Sequence, residues 1–388
     1  MRILTLCYEF PPVGGGGSKV VYGLSKELSR LGHKIDVVTM GFGELPPHER
    51  IENLDIYRLK SFRRRQHMCG TIEMVRHDIA AAPFVLNLIR RNNYDLNHTH
   101  FIFPDGLTAL IAHKLTGLPY IITAHGSDVP KYNPDRFTVQ HKLLAPAWKA
   151  VVNGSARIVC PSIHLSTLLN ARNHRAATSI IPNALDPGKF RHDRAKRNRV
   201  LMVTRMFPRK GVQKFFSAVK DADISIEANI VGDGPYLETL RQMASATNVK
   251  TRFWGWLDND SAELRELYET SSIFVFLSES ENFPINLLEA MAAGMAIVTS
   301  AGSGCSEVVG DAALKVNPDS PTEIRDALHR LINDRDFART MGAEARRRFD
   351  RCFTWPAVAK KYDALYQEIA PRPPRTCDLK PRTACSGR

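Results

Sequence analysis

Cysteine is scarce in this chain of 388 residues, which has only seven, and no two of them form a CxxC pair. Structural zinc sites use such pairs, and a disulfide framework needs an even number of cysteines. The composition therefore favours free thiols in a reducing cytoplasm over disulfides or zinc. The cysteines are Cys7, Cys69, Cys160, Cys305, Cys352, Cys377 and Cys385.

Long apolar runs are also missing. The longest, residues 79–86, contains Pro83 and is far shorter than the roughly 20 residues that a membrane-spanning helix needs. Near the start, only the short run ILTLC follows Arg2 before Glu9, which predicts a first β-strand rather than a signal peptide. The sequence therefore predicts neither a transmembrane helix nor a secretion signal.

Acidic residues are too few to balance the basic ones, 40 against 53, so that the formal net charge is +13. Part of the excess lies in residues 371–388, a proline-containing segment that is predicted to be a disordered basic tail. A basic surface suits phosphates, acidic lipid or nucleic acid and does not choose among them. No recognition module supports specific nucleic-acid binding.

Hydrophobic residues make up 44% of the chain, enough for the two domains that its length favours. Short apolar strands such as KIDVVTM and PYIITAH alternate with amphipathic helices, which predicts α/β domains with doubly wound parallel sheets. After the charged residues 191–199, interpreted as a linker, the alternation restarts. We expect one Rossmann-like domain over residues 1–190 and another over 200–352.

Four consecutive glycines, Gly14 to Gly17, separate the first predicted strand from a helix that contains Val20 and Leu24. A strand, a glycine loop and a helix place free backbone N–H groups at a helix N-terminus, where a phosphate can bind. Glycines also let a ligand touch the main chain. The spacing is not GxGxxG, so a simple turn is an equal interpretation of these residues alone.

Histidines follow two of the predicted strands. His125 and Asp128 lie in TAHGSD, and His98 and His100 lie on one face at the end of another strand. Ligands of open α/β sheets bind at the carboxyl ends of the strands. These side chains suit hydrogen bonds to sugar hydroxyls, and a metal cluster is the less favoured alternative.

In the second half, Arg205 ends the strand RVLMVTR, and Lys210 follows in MFPRKG. Two cations at the carboxyl end of a parallel strand are well placed for a diphosphate. Ordinary surface charge is the alternative for these two residues taken alone.

The segment SESENFPINLLEAMAAG predicts a strand end at Ser278 followed by a helix. Asn282 is the predicted cap, Pro284 lies in the first turn, and Gly294 ends the helix. Ser320-Pro321-Thr322-Glu323 predicts another helix start by the same reasoning.

Two carboxylates flank this helix start. Glu281 stands just before the helix, and Glu289 lies about five residues into it. A carboxylate for hydroxyls, free amides near residues 282–285 for anionic oxygens, and a second carboxylate for the vicinal hydroxyls of a ribose form a sugar-sized site. Together with Arg205 and Lys210, this arrangement is hard to explain as ordinary surface charge.

The spacing of Glu281 and Glu289 resembles the E-x7-E signature of family 4 retaining glycosyltransferases, which have the GT-B fold. FPPVGGGG resembles their glycine loop, HGSD their H-x-x-D, IPNALD their I-P-N-G-V-D, and Arg205 to Gly211 their R-x4-K-G. IVGDGP, FWGWL and FTW are similar to further landmarks, so the resemblance covers nearly the whole chain. Asn282, Ala184 and Cys305 depart from the usual pattern, but no charged site residue is missing.

The resemblance implies two Rossmann-like domains that face each other across a cleft, with a final helix, residues 353–370, that crosses back to the first domain. It implies retaining transfer of a hexose from a nucleotide-sugar, UDP- or GDP-linked, to a glycan, lipid-linked or small-molecule hydroxyl, without metal or other cofactor. The implied catalytic residues are Glu281, His125, Lys210 and Arg205. The implied donor-binding residues are Gly15, Gly16, Asp128, Arg205, Lys210, Trp256, Leu257, Glu281, Asn282, Phe283, Ile285 and Glu289.

Other functions stay open. They are a nucleotide-sugar-binding protein without catalysis and a GT-B epimerase. A GT-B phosphorylase is disfavoured, because phosphorylases need a bound pyridoxal cofactor and this sequence offers no persuasive lysine site for one. A basic segment in the first domain either contacts an anionic membrane or lipid-linked acceptor at the cytoplasmic face, or is a solvated loop, with equal weight. The segment contains Arg58, Lys60, Arg63, Arg64 and Arg65.

Overall fold

A computed structural model describes residues 1–66, 69–130, 132, 143–220 and 222–370, except for the side chain of Ser303. The predicted tail, residues 371–388, lies outside the described residues. In the described part of the chain, the first sheet has eight strands in the order β3-β4-β2-β1-β5-β6-β7-β8, all parallel except β3, which pairs antiparallel with β4. These strands are β1 (Arg2–Leu6), β2 (Lys34–Met40), β3 (His48–Ile51), β4 (Leu54–Leu59), β5 (Leu96–His100), β6 (Tyr120–Thr123), β7 (Arg157–Cys160) and β8 (Thr178–Ile180).

Helices connect these strands and cover both faces of the sheet. The helices are α1 (Gly16–Arg30), α2 (Thr71–Arg91), α3 (Asp105–Thr116), α4 (Ala145–Gly154) and α5 (Ile163–Asn170). Val21, Leu24 and Leu28 of α1 are buried, as their helical spacing predicts. Leu31 follows them at helical spacing, which predicts the same buried face, but it is 44% exposed, because α1 ends at Arg30 and the chain turns at Gly32.

The second sheet, over the same described ranges, has six parallel strands in the order β11-β10-β9-β12-β13-β14. The strands are β9 (Arg197–Val203), β10 (Glu227–Val231), β11 (Lys250–Gly255), β12 (Ser271–Phe276), β13 (Ala296–Ser300) and β14 (Leu314–Val316). The helices of this half are α6 (Val212–Val219), α7 (Leu237–Ser245), α8 (Ala262–Thr270), α9 (Ile285–Ala292), α10 (Ser303–Val309), α11 (Pro321–Asn333) and α12 (Arg335–Cys352). The predicted α/β class with two Rossmann-like domains is confirmed.

The final helix, α13 (Trp355–Ile369), packs against the first domain although it follows the second in sequence. Tyr362, Leu365 and Tyr366 are buried with residues of β1 and α1. His33 lies 3.0 Å from the carboxylate of Asp363. A helix that leaves the second domain and packs on the first ties the two domains together.

Two local predictions need correction. The proposed linker, residues 191–199, overlaps β9, which begins at Arg197 because Arg197 and Arg199 pair with neighbouring strands. Asn282 does not cap α9: the helix begins at Ile285, after Pro284, and no side-chain cap is formed. Ser320 does cap α11, accepting from the Glu323 amide, as predicted.

No helix was assigned to residues 71–91, where Pro83 interrupts the pattern. The structure forms α2 through this proline, which is exposed, while Ala81, Val85 and Leu88 are buried. A proline inside a helix costs about 3 kcal/mol, so burial of this apolar side must outweigh the loss. Tertiary packing therefore decided the helix.

Candidate active site

The carboxyl ends of both sheets face a cleft of about 610 Å³ between the two domains. This volume falls in the range of small-molecule sites, about 300–1,000 Å³. The cleft is lined by ten of the predicted site residues: Gly16, His125, Arg205, Lys210, Trp256, Leu257, Glu281, Phe283, Ile285 and Glu289. Gly15, Asp128 and Asn282 do not line it.

Lys210 and Glu281 form an ion pair within this cleft. Lys210 ends a short 3-10 turn, Pro208–Lys210, that follows β9. Glu281 also accepts a hydrogen bond of 2.8 Å from the Ser278 hydroxyl, just after β12. Strands β9 and β12 are neighbours in the sheet, so their ends bring together a cation and a carboxylate that lie far apart in sequence.

Arg205 adds a second cation to the same wall of the cleft. It is exposed, and its guanidinium lies 5.8 Å from the ring of Phe207. Ile285 and Asn286, in the first turn of α9, line the cleft beside it. Because the first N–H groups of a helix lack intrahelical partners, this helix start is suited to hold an anion.

Glu289 is buried at the back of the cleft, 6% exposed, and both of its carboxylate oxygens have partners. Lys189 Nζ lies 2.6 Å from Oε1, and the Tyr268 hydroxyl donates to Oε2 over 2.9 Å. The sequence analysis missed Lys189 and Tyr268. Their positions, a lysine just after IPNALDPG and an aromatic residue in α8, gave no local sign of the contact.

Trp256 and Leu257 lie at one end of the cleft, after β11, where the sequence analysis placed the base pocket. Trp256 is 66% exposed, so its ring is available for stacking. Asp233 and Asn259, which the sequence analysis did not select, line the cleft as well.

Asp128 holds the loop that carries His125 instead of facing the cleft. Its oxygens accept from the backbone amides of His125, Gly126 and Ile102, over 3.1, 2.8 and 2.9 Å. Burial raises the pKa of this carboxyl, and these hydrogen bonds partly offset the effect. We therefore place Asp128 as a positioning residue.

His125 ends a chain of buried side chains that reaches α13. Its Nε2 lies 3.2 Å from Nδ1 of His100. The His100 ring packs 4.2 Å from the His98 ring, centroid to centroid. His98 hydrogen-bonds the hydroxyls of Thr123 and Tyr366, over 2.8 and 2.6 Å.

Burial keeps these three histidines neutral. It lowers the pKa of His98 to about 3 and of His125 to about 4, and it lowers the pKa of His100 well below its usual value. A neutral His125 is suited to hydrogen-bonding a sugar hydroxyl without adding charge to the cleft. No group of three or more His, Cys, Asp or Glu residues that could hold a metal occurs within the described residues.

The buried histidines predict a specific pH dependence. Because the folded pKa lies below the ordinary value near 6.5, their stabilisation is complete above that pH and is lost as pH falls towards the folded pKa. For each of these histidines, the free energy of unfolding of the protein should fall by about 1.3 kcal/mol between roughly pH 7 and pH 5.5. His98→Gln should reduce the measured fall by about this amount in urea unfolding at the two pH values.

The control for this experiment is His174→Gln, since His174 is exposed. The half-buried Asp78, whose pKa burial raises to about 8, shifts stability in the opposite direction, but it is the same in all variants. An unchanged pH dependence in His98→Gln would contradict the assignment.

The glycine run that leads into α1 at Gly16 has two different parts. Gly14 has φ +106°, and a Cβ there would lie 2.6 Å from Cβ of Glu9, so the fold itself requires glycine. A Cβ at Gly15 or Gly16 would meet nothing within 4 Å, and Gly16 lines the cleft. The fold does not require glycine at these two positions, which leaves space for a ligand.

Several contacts cross the cleft and close it at the sides. Lys19 lies 3.0 Å from Asp260. The Ser162 hydroxyl donates to the Asn282 side-chain oxygen over 2.6 Å, and Glu307 accepts from the first backbone amides of α5 over 2.6 and 2.8 Å. Asn282 thus joins the two domains, a role that its sequence position did not reveal.

Comparisons with known proteins agree with this architecture. The profile of "Glycosyltransferase Family 4" matches residues 14–189, and that of "Glycosyl transferases group 1" matches residues 189–348. A curated relative, N-acetyl-alpha-D-glucosaminyl L-malate synthase from Bacillus anthracis, is 25% identical over 390 aligned positions that cover 95% of this chain and 97% of the relative.

Solved structures share the fold at low identity. Sucrose-phosphate synthase from Thermosynechococcus elongatus gives a TM-score of 0.78 at 20% identity, covering 95% of this chain and 98% of that one. HepE from Anabaena in complex with UDP gives 0.75 at 16% identity, covering 95% and 100%. With profile matches that run from residue 14 to residue 348, the chain belongs to the family 4, group 1 glycosyltransferases, built on the GT-B fold.

Proposed function

We propose that this protein moves a hexose from a nucleotide diphosphate sugar to an acceptor hydroxyl and retains the anomeric configuration. The observation that carries the proposal is the pairing of Lys210 with Glu281 beside Arg205 and the start of α9, all in one cleft between two domains. Cations and free amides suit a diphosphate, and the carboxylate suits sugar hydroxyls.

The donor would extend along the second domain. Arg205, Lys210 and the start of α9 would hold its diphosphate, Glu289 its ribose, and the surface near Trp256 its base. Lys189 and Tyr268 fix the Glu289 carboxylate, and each oxygen retains a lone pair for a hydroxyl. The UDP bound by the related fold of HepE supports UDP as the first candidate nucleotide.

The chemistry follows from where charge develops. When the bond from the anomeric carbon to the phosphate oxygen breaks, the sugar becomes oxocarbenium-like and the diphosphate gains negative charge. Two fixed cations and a helix N-terminus in a closed cleft stabilise that charge. We propose attack from the same face, with the departing phosphate oxygen accepting the proton of the acceptor hydroxyl. His125 would bind the donor sugar from the first domain.

This scheme requires no divalent metal, and we propose a metal-independent enzyme of the cytoplasm. Two-carboxylate hydrolysis is the contrasting scheme. We disfavour it because Glu281 and Glu289 lie at one helix end rather than on opposite sides of a bond, and each is already paired with a lysine. A binding protein without catalysis and a GT-B epimerase are the alternatives that the experiment below separates.

The proposal is tested by thermal unfolding with UDP-, GDP- and ADP-sugars. We expect one nucleotide class to stabilise the protein clearly, by about 2.7 kcal/mol at a concentration of roughly 100 times Kd. Glu289→Ala should lose most of this stabilisation, because the ribose contact is removed. The control is Glu238→Ala, which changes an exposed glutamate of α7 away from the cleft.

Slow release of free nucleotide from the stabilising sugar, followed by mass spectrometry, then separates transfer from simple binding and from epimerisation. Stabilisation by none of the three classes would contradict the proposed donor site. Binding without any nucleotide release would contradict transfer and leave the two alternatives, of which only the epimerase would convert the bound nucleotide-sugar to its epimer.

A further inference from the structure

A group of large apolar side chains lies exposed on the first domain, away from the cleft lining. Ile72, Val75 and Ile79 are 71%, 53% and 70% exposed, and Phe62 is 66% exposed. The three aliphatic residues are spaced by three and four positions, so they share one side of α2. The helix thus presents an apolar face to solvent at its start.

The strand-end segment and the helix form one continuous surface. The Arg76 guanidinium lies 5.0 Å from the ring of Phe62. A shallow groove of about 410 Å³ lies between them, lined by Lys60, Ser61, Phe62, Arg76, Ile79 and Ala80. We call Lys60, Phe62, Arg64, Arg65 and residues 72–79 of α2 the α2 surface.

The structure divides the basic segment of the sequence analysis. Arg58 and Arg63 are buried and lie 2.7 Å from Glu49 and 3.3 Å from Glu9, respectively, so they do not contribute to the outer surface. Lys60, Arg64 and Arg65 are exposed. The basic segment as a whole is therefore not a solvated loop, and only its outward half can meet a partner.

Acidic groups offset only part of the charge of the α2 surface. Hydrogen bonds lower the pKa of Glu73 and keep it ionised, but it is one negative charge against the four positive charges of Lys60, Arg64, Arg65 and Arg76. Glu73 points back to the main chain, where it accepts from the amides of Gly70 and Arg64 over 2.6 and 2.9 Å. Asp78 accepts from the Thr108 hydroxyl over 3.2 Å, and burial raises the pKa of its carboxyl to about 8. The outer charge is therefore mainly positive.

We propose that the α2 surface binds an anionic lipid bilayer, with Phe62, Ile72, Val75 and Ile79 inserted between lipids. An anionic membrane surface stabilises exposed apolar side chains that lie beside cations, because the bilayer buries the apolar groups and its negative charge attracts the cations. A second copy of this chain fits less well, because a two-fold contact would bring the same cations together. The described residues contain no helix able to span a membrane, so contact would be peripheral.

The surface is tied to the cleft through the glycine loop. The Gln66 carbonyl accepts from the Gly14 amide over 2.9 Å, and the Gln66 side chain donates to the Pro12 carbonyl over 2.8 Å. α2 begins at Thr71, five residues after Gln66, so the chain can span at most about 18 Å between Gln66 and the start of α2. If the proposed function holds, a bound bilayer would present acceptors near the first-domain side of the cleft.

The test uses the full-length protein and sedimentation with vesicles of phosphatidylcholine, alone or mixed with phosphatidylglycerol. We expect binding to the anionic vesicles and loss of binding at high salt. Lys60→Gln and Arg64→Gln should each weaken partitioning by about fivefold. The double variant Ile72→Ser/Ile79→Ser should weaken partitioning at least as much. It should also reduce the fraction of binding that persists at high salt.

Matched controls are Leu115→Ser, an exposed apolar residue of α3, and Arg339→Gln, an exposed cation of α12. Both should bind as the unchanged protein does, and all variants keep the basic tail, residues 371–388. The assay contains no nucleotide or acceptor, so its result is independent of the proposed function. Equal binding by all variants, or none by the unchanged protein, would overturn the proposal. A loss of self-association in the Ile72/Ile79 variant, measured by sedimentation velocity, would instead assign the surface to a second copy.

Discussion

Lys210→Met is expected to lower kcat for sugar transfer by about 10²–10³-fold, equivalent to about 2.7–4 kcal/mol of transition-state stabilisation. Lys210 lines the cleft and pairs with Glu281, beside Arg205. Removing it takes away one of the two cations that, in the proposed scheme, stabilise the negative charge of the departing diphosphate. The effect should appear mainly in kcat, because that charge is largest in the transition state.

The matched control for this experiment is Lys214→Met. Lys214 is equally buried, with 12% side-chain exposure, and is also ion-paired, 2.9 Å from Glu279 and 2.7 Å from Asp319, but it does not line the cleft. It should change kcat little. Thermal unfolding of both variants shows whether the fold is intact.

A double variant separates two explanations for a loss of activity. The readout is calorimetric affinity for the free nucleoside diphosphate, which lacks the sugar that Glu281 would bind. If Lys210 serves only to neutralise Glu281, then Lys210→Met/Glu281→Gln should recover this affinity. If Lys210 binds the diphosphate, the double variant should be no better than the single one. Full activity of Lys210→Met itself would rule out the assigned role.

Gly304→Ala is expected to lower kcat by at least about 100-fold through displacement of the Glu281 backbone. A Cβ on Gly304 would lie 1.7 Å from the Asn282 carbonyl oxygen and 2.8 Å from that of Glu281. The Gly304 amide also donates to the Glu281 carbonyl over 2.9 Å. The segment 281–282 must move, and a shift of about 1 Å in a catalytic group can cost a hundredfold in rate.

Gly302→Ala is the control, two residues earlier and just before α10 begins at Ser303. A Cβ at Gly302 would meet nothing within 4 Å, and its backbone, with φ −99° and ψ 176°, suits alanine. Its activity should stay close to that of the unchanged protein. We expect Gly304→Ala to lose about 1–3 kcal/mol of stability as well, so kcat should be measured well below its unfolding temperature.

Nucleotide binding distinguishes displacement from unfolding. Arg205 lies just after β9, and Glu289 lies in the second turn of α9. Because Gly304→Ala leaves both in place, it should still bind the donor nucleotide when measured by calorimetry. Equal kcat for Gly304→Ala and the unchanged protein would show that the close approach of the start of α10 to residues 281–282 does not control the position of Glu281.

Local patterns in the sequence predicted most strands and several helix limits. Ser320 caps α11, Gly294 follows α9, and the alternation of strands and helices fits two parallel sheets. The same local reasoning failed at Asn282, whose side chain bonds Ser162 across the cleft instead of capping α9. The Asn282 side chain could cap a helix, but it hydrogen-bonds a partner 120 positions away in sequence instead.

The sequence alone determined the fold class, the family resemblance and the charged residues near the ends of β9 and β12, because periodicity, capping and motif spacing are short-range properties. Only the tertiary structure decided that Lys189 pairs with Glu289, 100 residues away, and that Tyr366 hydrogen-bonds His98, 268 residues away. It also decided which half of the basic segment is buried. Such contacts depend on how separate elements pack, and no local pattern records which side chains that packing brings together.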